Sequence, residues 1–239
     1  MSINCFWKKV TTAIFIAIFA SSCELNSNRR IEQKQVKATQ EQKPQENITY
    51  GDLIIKEQSD YLMIPVTLLE EYQEKDSNYS ISRSSGRENK LYNFIFYHKP
   101  DGESHLLLNK KAVITSYDFL ETKLAGKPLT RFWLYRILEQ DTNADKKLNN
   151  ADAIVGYISD LSGRNLLQIT PNNTQLLNWV IVPSQNALFI KILKDSDNDK
   201  KFTEKDKTNF IRVNLDKPAM GTEIISDAIE QEIKSQVFK

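Results

Sequence analysis

Two stretches of this chain repeat one pattern, and that pattern narrows the folds able to hold them. Residues 132–138 (FWLYRIL) lead into the acidic loop 141–152 (DTNADKKLNNAD), and residues 187–193 (ALFIKIL) lead into the acidic loop 195–206 (DSDNDKKFTEKD). The loops begin at Asp141 and Asp195, 54 residues apart. After each comes a β-branched or aromatic run, a turn containing glycine, and a second run. Such runs bounded by turn residues mark strands, so each acidic loop sits between strands. Repeats of this size normally stack, because one unit cannot cover its own apolar face.

The same punctuation divides the rest of the chain. Candidate strands are 52–56, 61–69, 92–98 and 105–108, then 113–119, 132–138, 154–159 and 165–169, then 176–182, 188–193, 209–214 and 223–225. Pro100-Asp101-Gly102 and Ser162-Gly163 carry hairpin signals. Pro218 and Gly221 play that part in the third group, and Ser184-Gln185-Asn186 joins its first two strands. Pro65 inside 61–69 argues for an edge or a bulge. The expectation is an all-β domain at 48–225, about 180 residues long and large enough for one core. It holds three four-stranded antiparallel, blade-like units at about 51–108, 113–169 and 176–225. The tail 226–239 (SDAIEQEIKSQVFK) reads as a short C-terminal helix capped by Ser226, with Ile229, Ile233 and Val237 as an apolar stripe able to cover a sheet edge.

The stretch 157–170 (YISDLSGRNLLQIT) resembles the last hairpin of blades in periplasmic TolB-like β-propellers. The resemblance extends loosely over 91–109 and 209–225. It implies blades, yet propellers usually close with four to eight of them. Three units therefore suit an open stack, a sandwich, a three-fold arrangement or a ring completed by another copy.

The start of the chain reads as processing sequence. Lys8 and Lys9 precede the apolar run 10–20 (VTTAIFIAIFA), which is too short to span a bilayer comfortably. Ala20-Ser21-Ser22-Cys23 then resembles the lipobox of bacterial lipoproteins. The resemblance implies a signal peptide at 1–22, cleavage before Cys23, a diacylglyceryl thioether on its sulfur, and an acylated amine. Several acyl chains anchor firmly where one is marginal. Glu24 in place of aspartate leans toward the outer membrane, at its periplasmic or surface face, where a cell has two membranes. Residues 23–47, rich in Gln, Glu, Lys and Asn, cannot bury enough surface to offset their ordering and read as a flexible tether.

Charge and cysteine usage exclude several classes. The chain has 32 basic and 31 acidic side chains, so no basic field suits nucleic acid. Cys5 leaves with the signal, and Cys23 then stands alone, which excludes an intrachain disulfide and a cysteine zinc site. No nucleophile elbow, HExxH or phosphate loop occurs, and no catalytic residue is assigned. His98 and His105 flank a hairpin turn without a third metal ligand. Trp133, Tyr135, Tyr157, Trp179 and Phe189 read as core packing.

The acidic loops carry the chemistry. Calcium takes six to eight oxygens, which a short loop supplies from alternating positions. In the first loop the donors are Asp141, Asn143, Asp145, the Lys147 carbonyl, Asn149 and Asp152. In the second they are Asp195, Asp197, Asp199, the Lys201 carbonyl, Thr203 and Asp206. Leu148 and Phe202 at position 8 are apolar. Both loops resemble EF-hand and dockerin-type calcium loops. They depart at position 6, where Lys146 and Lys200 replace glycine, and at position 12, where aspartate replaces glutamate. Two calcium sites follow, the 195–206 site the stronger because it has four carboxylates against three; magnesium, which keeps its waters, fits less well. The polar insertion 71–90 lacks this spacing, so the first unit is expected to carry no site.

The resulting expectation is a lipid-anchored, calcium-stabilised binding or scaffold lipoprotein of the cell envelope without catalytic activity. Its partners would be the bilayer through Cys23 and an envelope protein or glycan, with self-association as a further possibility. The alternatives are a calcium-supported hydrolase of envelope polysaccharide or peptide, which needs a cleft with paired carboxylates, and a subunit of an envelope assembly.

Overall fold

Thirteen strands and one α-helix are found among the residues that the computed structural model describes, 47–69 and 89–238. These lie within the unit Lys43–Lys239. The signal peptide, Cys23, the tether up to residue 46 and most of the 71–90 insertion lie outside the described residues.

The strands form three antiparallel sheets, each a meander, and none closes into a barrel. The first sheet holds β1 (Asn47–Tyr50), β2 (Ile54–Ile55), β3 (Tyr61–Leu69), β4 (Asn89–His98) and β5 (Ser104–Leu106). The second holds β6 (Val113–Thr122), β7 (Thr130–Leu138), β8 (Val155–Ser159) and β9 (Leu167–Gln168). The third holds β10 (Thr174–Val182), β11 (Ala187–Lys194), β12 (Lys207–Asn214) and β13 (Thr222–Glu223). β1 and β2 lie along successive halves of the same edge of β3, so the first sheet has five strands but is four across.

β1 is a strand beyond those expected from sequence, and it begins at Asn47, inside the span read as tether. Pro65 explains the break between β1 and β2. It donates no N–H, and its ring lies where a Cβ on Gly51 would sit 3.1 Å from Cγ. Gly51 N–H instead bonds the Pro65 carbonyl at 2.9 Å, and a register shift follows between Val66 and Thr67. The extra residue of that shift is on β4, since Val66 pairs Asn93 and Thr67 pairs Leu91. β3 itself therefore runs without a bulge past Pro65, which sits at the gap in its edge between β1 and β2.

Two apolar layers hold the sheets together. Met63, Phe94 and Phe96 of the first sheet pack with Trp133, Tyr135, Ile137 and Tyr157 of the second. Leu120, Leu134 and Ile158, on the opposite face of the second sheet, pack with Leu188, Ile190, Ile192, Ile211 and Val213 of the third. The second sheet is thus covered on both sides, and all five residues of β8 are buried. β12 by contrast alternates buried and less buried positions, the mark of a sheet with one covered face. Trp133, Tyr135 and Tyr157 are buried as expected from sequence, and Phe119 meets Trp133 edge-on at 5.3 Å between centroids. Trp179 packs half-buried against the core of the third sheet. Phe189 departs from the expectation: it is half-buried on the opposite face of β11 from Leu188 and Ile190, because alternation along the strand turns it outward.

Helix α1 (Asp227–Val237) begins where expected, with Ser226 Oγ accepting from Ile229 N–H. It does not cover a sheet edge. None of its residues is buried, and Ile229, Ile233 and Val237 are all exposed. An ion pair from Lys207 of β12 to Glu230, at 2.8 Å, links it to the third sheet.

Candidate metal centre

Each acidic loop connects the second and third strands of its sheet, β7 to β8 and β11 to β12. The two share one hydrogen-bond skeleton. At position 1, Asp141 Oδ2 accepts from Lys146 N–H at 2.7 Å and Asp195 Oδ2 accepts from Lys200 N–H at 3.2 Å. At position 3, Asn143 Oδ1 and Asp197 Oδ1 accept from the N–H of Asp145 and Asp199, at 3.0 and 3.2 Å. At position 5, Asp145 Oδ1 and Asp199 Oδ1 accept from the N–H of Lys147 and Lys201, at 2.7 and 2.8 Å. The side chains at 1, 3 and 5 are thereby turned into the loop by its own backbone.

The tight turn demands left-handed residues, and the loops supply them without glycine. Lys146 and Lys200 at position 6 have φ of 64° and 63°. Position 4 is left-handed as well, with Ala144 at 61° and Asn198 at 60°. Sequence reasoning identified position 6 and missed position 4. Asn198 carries a signal there, since asparagine tolerates this region, but Ala144 carries none.

Position 12 closes both loops. Asp152 Oδ1 and Oδ2 accept from the N–H of Thr142 and Asn149 at 2.9 and 3.0 Å. Asp206 Oδ1 and Oδ2 accept from the N–H of Ser196 and Thr203, both at 2.9 Å. These bonds from Thr203 and Ser196 hold the Asp206 carboxyl below the usual carboxylate range. The hydroxyls at position 2 add to the clasp: Thr142 Oγ1 and Ser196 Oγ lie 3.3 and 3.2 Å from the same carboxylates. That paired Thr/Ser was a legible signal passed over in the sequence. Asn149 Oδ1 and Thr203 Oγ1 at position 9 accept from Ala151 and Lys205 N–H. Leu148 and Phe202 at position 8 are half-buried.

The second loop gathers charge. Asp195, Asp197 and Asp199 each place a carboxylate oxygen within 4.8 Å of the others. Among the described residues, none of the three forms an ion pair with a lysine, arginine or histidine. Asp195 Oδ1 is buried and accepts no hydrogen bond. A buried, unpaired carboxylate oxygen beside two like charges is costly, and a bound cation removes both costs. This cluster is suited to a metal ion. The first loop has the same backbone with Asn143 in place of one acid. It is tied to the third sheet, because Gln175 Nε2 donates to the carbonyls of Asn150 and Asp152 at 3.0 and 2.8 Å.

The two histidines make ring contacts, though the buried His105 Nε2 has no hydrogen-bond partner among the described residues. His98 Nδ1 lies 2.7 Å from Asp101 Oδ1, and its ring packs on Tyr61 at 4.7 Å. The bond from Glu103 N–H, then His98, holds the Asp101 carboxyl below its usual range. His105 stacks on Phe96 at 5.7 Å and lies opposite Phe96 in the ladder, so the two histidines are not cross-strand partners.

A groove of about 630 Å³ between the first and second sheets is lined by His105, Glu139, Tyr157 and Arg164, among others. Its one carboxylate, Glu139, is paired with Lys110 and accepts from Tyr157 Oη at 2.9 Å. Burial and that carboxylate push the Tyr157 phenol up.

Comparison with protein-family models, curated proteins and solved structures returned no match.

Proposed function

We propose that this chain is a calcium-stabilised binding or scaffold lipoprotein of the bacterial cell envelope, held to the bilayer through acylated Cys23 and without catalytic activity. The observation that carries the metal reading is the buried Asp195 Oδ1, which has no hydrogen-bond partner among the described residues and belongs to a triad of carboxylates that no described cationic side chain pairs with. Calcium suits the donors better than other ions do. They are oxygens on a flexible loop, and calcium tolerates irregular geometry where magnesium demands a near-ideal octahedron. Asp195, Asp197 and Asp199 would supply carboxylates, with Lys201, Thr203 and Asp206 completing the set. The shared skeleton extends the reading to Asp141, Asn143, Asp145, Lys147, Asn149 and Asp152, with one carboxylate fewer. The resemblance of both loops to EF-hand and dockerin-type loops supports the same ion, and their place between strands supports a static clip over a sensor.

The non-catalytic reading draws on the groove. Glycoside hydrolysis uses two carboxylates flanking the bond, and the groove lining offers Glu139, already engaged by Lys110 and Tyr157. The envelope assignment draws on the lipobox resemblance at Cys23 and on the TolB-like hairpin.

The deciding experiment melts the detergent-solubilised full chain with calcium and with excess chelator. At a calcium concentration a hundredfold above Kd, one site stabilises by about 2.7 kcal/mol, which is roughly 5–10 °C for a domain of this size. Identical melting in both conditions would refute the calcium reading.

A further inference from the structure

The outer faces of the first and third sheets carry exposed apolar side chains, and the chain itself shows what fits them. One hydrogen bond recurs in all three sheets: Leu107 N–H to the Phe94 carbonyl, Ile169 N–H to the Gly156 carbonyl and Ile224 N–H to the Phe210 carbonyl, at 2.9, 2.8 and 2.8 Å. It aligns Phe94, Gly156 and Phe210, and with them their neighbours Ile95, Tyr157 and Ile211. The faces then fall into one order. The Phe94 face of the first sheet packs on the Tyr157 face of the second. The opposite face of the second, bearing Gly156 and Ile158, packs on the Ile211 face of the third, with Gly156 against Leu176. Every seam is head to tail. Among the described residues, what remains is the Phe210 face of the third sheet and the Ile95 face of the first, the two halves of the same kind of seam.

Those two faces have the chemistry of a seam. On the third sheet Val180 and Phe210 are 59% and 40% exposed. On the first, Tyr50 and Leu106 are 65% and 56% exposed, and Tyr97 shares their face. Both existing seams also lay a cation over an aromatic ring of the next sheet: Lys56 lies 4.3 Å from the Phe119 centroid and Arg136 5.6 Å from that of Trp179. The open face of the third sheet carries Lys191 and Arg212 beside Phe210, and that of the first carries Tyr50 and Tyr97.

We propose that a second copy of this chain covers both faces, third sheet onto first sheet in each direction. A head-to-tail contact between copies forms either a closed ring or an open filament. Rings of sheets close with four to eight members, so two copies of three sheets, giving six, is the number that closes. The inference does not rest on the calcium reading, and the test is run with and without chelator so that the two fail separately.

The test is the sedimentation mass of the detergent-solubilised full chain, of Tyr97→Lys and of Phe210→Lys, with folding of each variant checked by its melting transition. The expected result is two chains per particle for the native protein and one for each variant. An equimolar mixture of the variants should yield a heterodimer, because one native seam survives in it. A native monomer, assemblies other than two chains, or a dimer that survives either substitution would overturn the proposal. A variant that fails to fold is replaced by Val180→Lys or Leu106→Lys, at more exposed positions of the same two faces, with the same expectations.

Discussion

Lys146 and Lys200 hold φ of 64° and 63°, a region that costs an L-residue with a side chain roughly 1–2 kcal/mol. Lys200→Gly should therefore be neutral or stabilising by less than about 1 kcal/mol, because glycine's extra unfolded-state freedom offsets part of the relief. Lys200→Ile should destabilise by about 1 kcal/mol or more, since β-branching is worst there; urea unfolding distinguishes the pair. Gly163 is less forgiving. Its φ is 77°, and a Cβ would come within 2.3 Å of the buried Phe96 ring. Gly163→Ala should cost about 2–3 kcal/mol in the same measurement. The oxygens at loop positions 1, 3, 5 and 12 were legible as an alternating set of donors. The left-handed Ala144 was not, because nothing about alanine signals it, and the carboxylate clasp at position 12 depends on backbone N–H directions that a sequence does not display.

At the scale of elements, helix α1 is the weakest piece. Its residues are all unburied, and Glu230 bridges Lys207 and Lys234 at 2.8 and 2.7 Å. Hydrogen bonds from those two lysines bring the Glu230 carboxyl down to about 2. A lowered folded-state pKa gives a contribution that is complete above the unfolded value of 4.5 and lost as pH falls through about 2. A carboxyl titration followed by NMR should show that midpoint, and Lys207→Gln should raise it toward 4.5. Removal of residues 226–239 should move the melting temperature of the sheets by only about 1–2 °C, since no apolar burial is lost. Most strands were legible because their β-branched and aromatic runs are bounded by turn residues or by the acidic loops. The polar ends of β6 and β7, Glu121-Thr122 and Thr130-Arg131, were not; cross-strand pairing holds them, and Arg131 bonds Glu121 at 2.7 Å. β1 was missed because Asn47–Tyr50 is short and follows a polar segment.

For the whole molecule, sequence alternation shows which residues are buried but not which sheet each one meets. The order of faces, with the second sheet covered on both sides, emerges only from the packing of Trp133 and Tyr157 one way and Leu134 and Ile158 the other. At this scale the lipid anchor is also tested: Cys23→Ala should abolish fatty-acid labelling and move the protein from the membrane to the soluble fraction. The central claim concerns the acidic loops, and isothermal titration of calcium into the metal-free full chain tests it most directly. The account predicts two sites, with Asp195→Asn together with Asp199→Asn abolishing the tighter one and Asp141→Asn abolishing the weaker. A native chain that is folded yet takes up no calcium, or that binds equally well without Asp195 and Asp199, would contradict it.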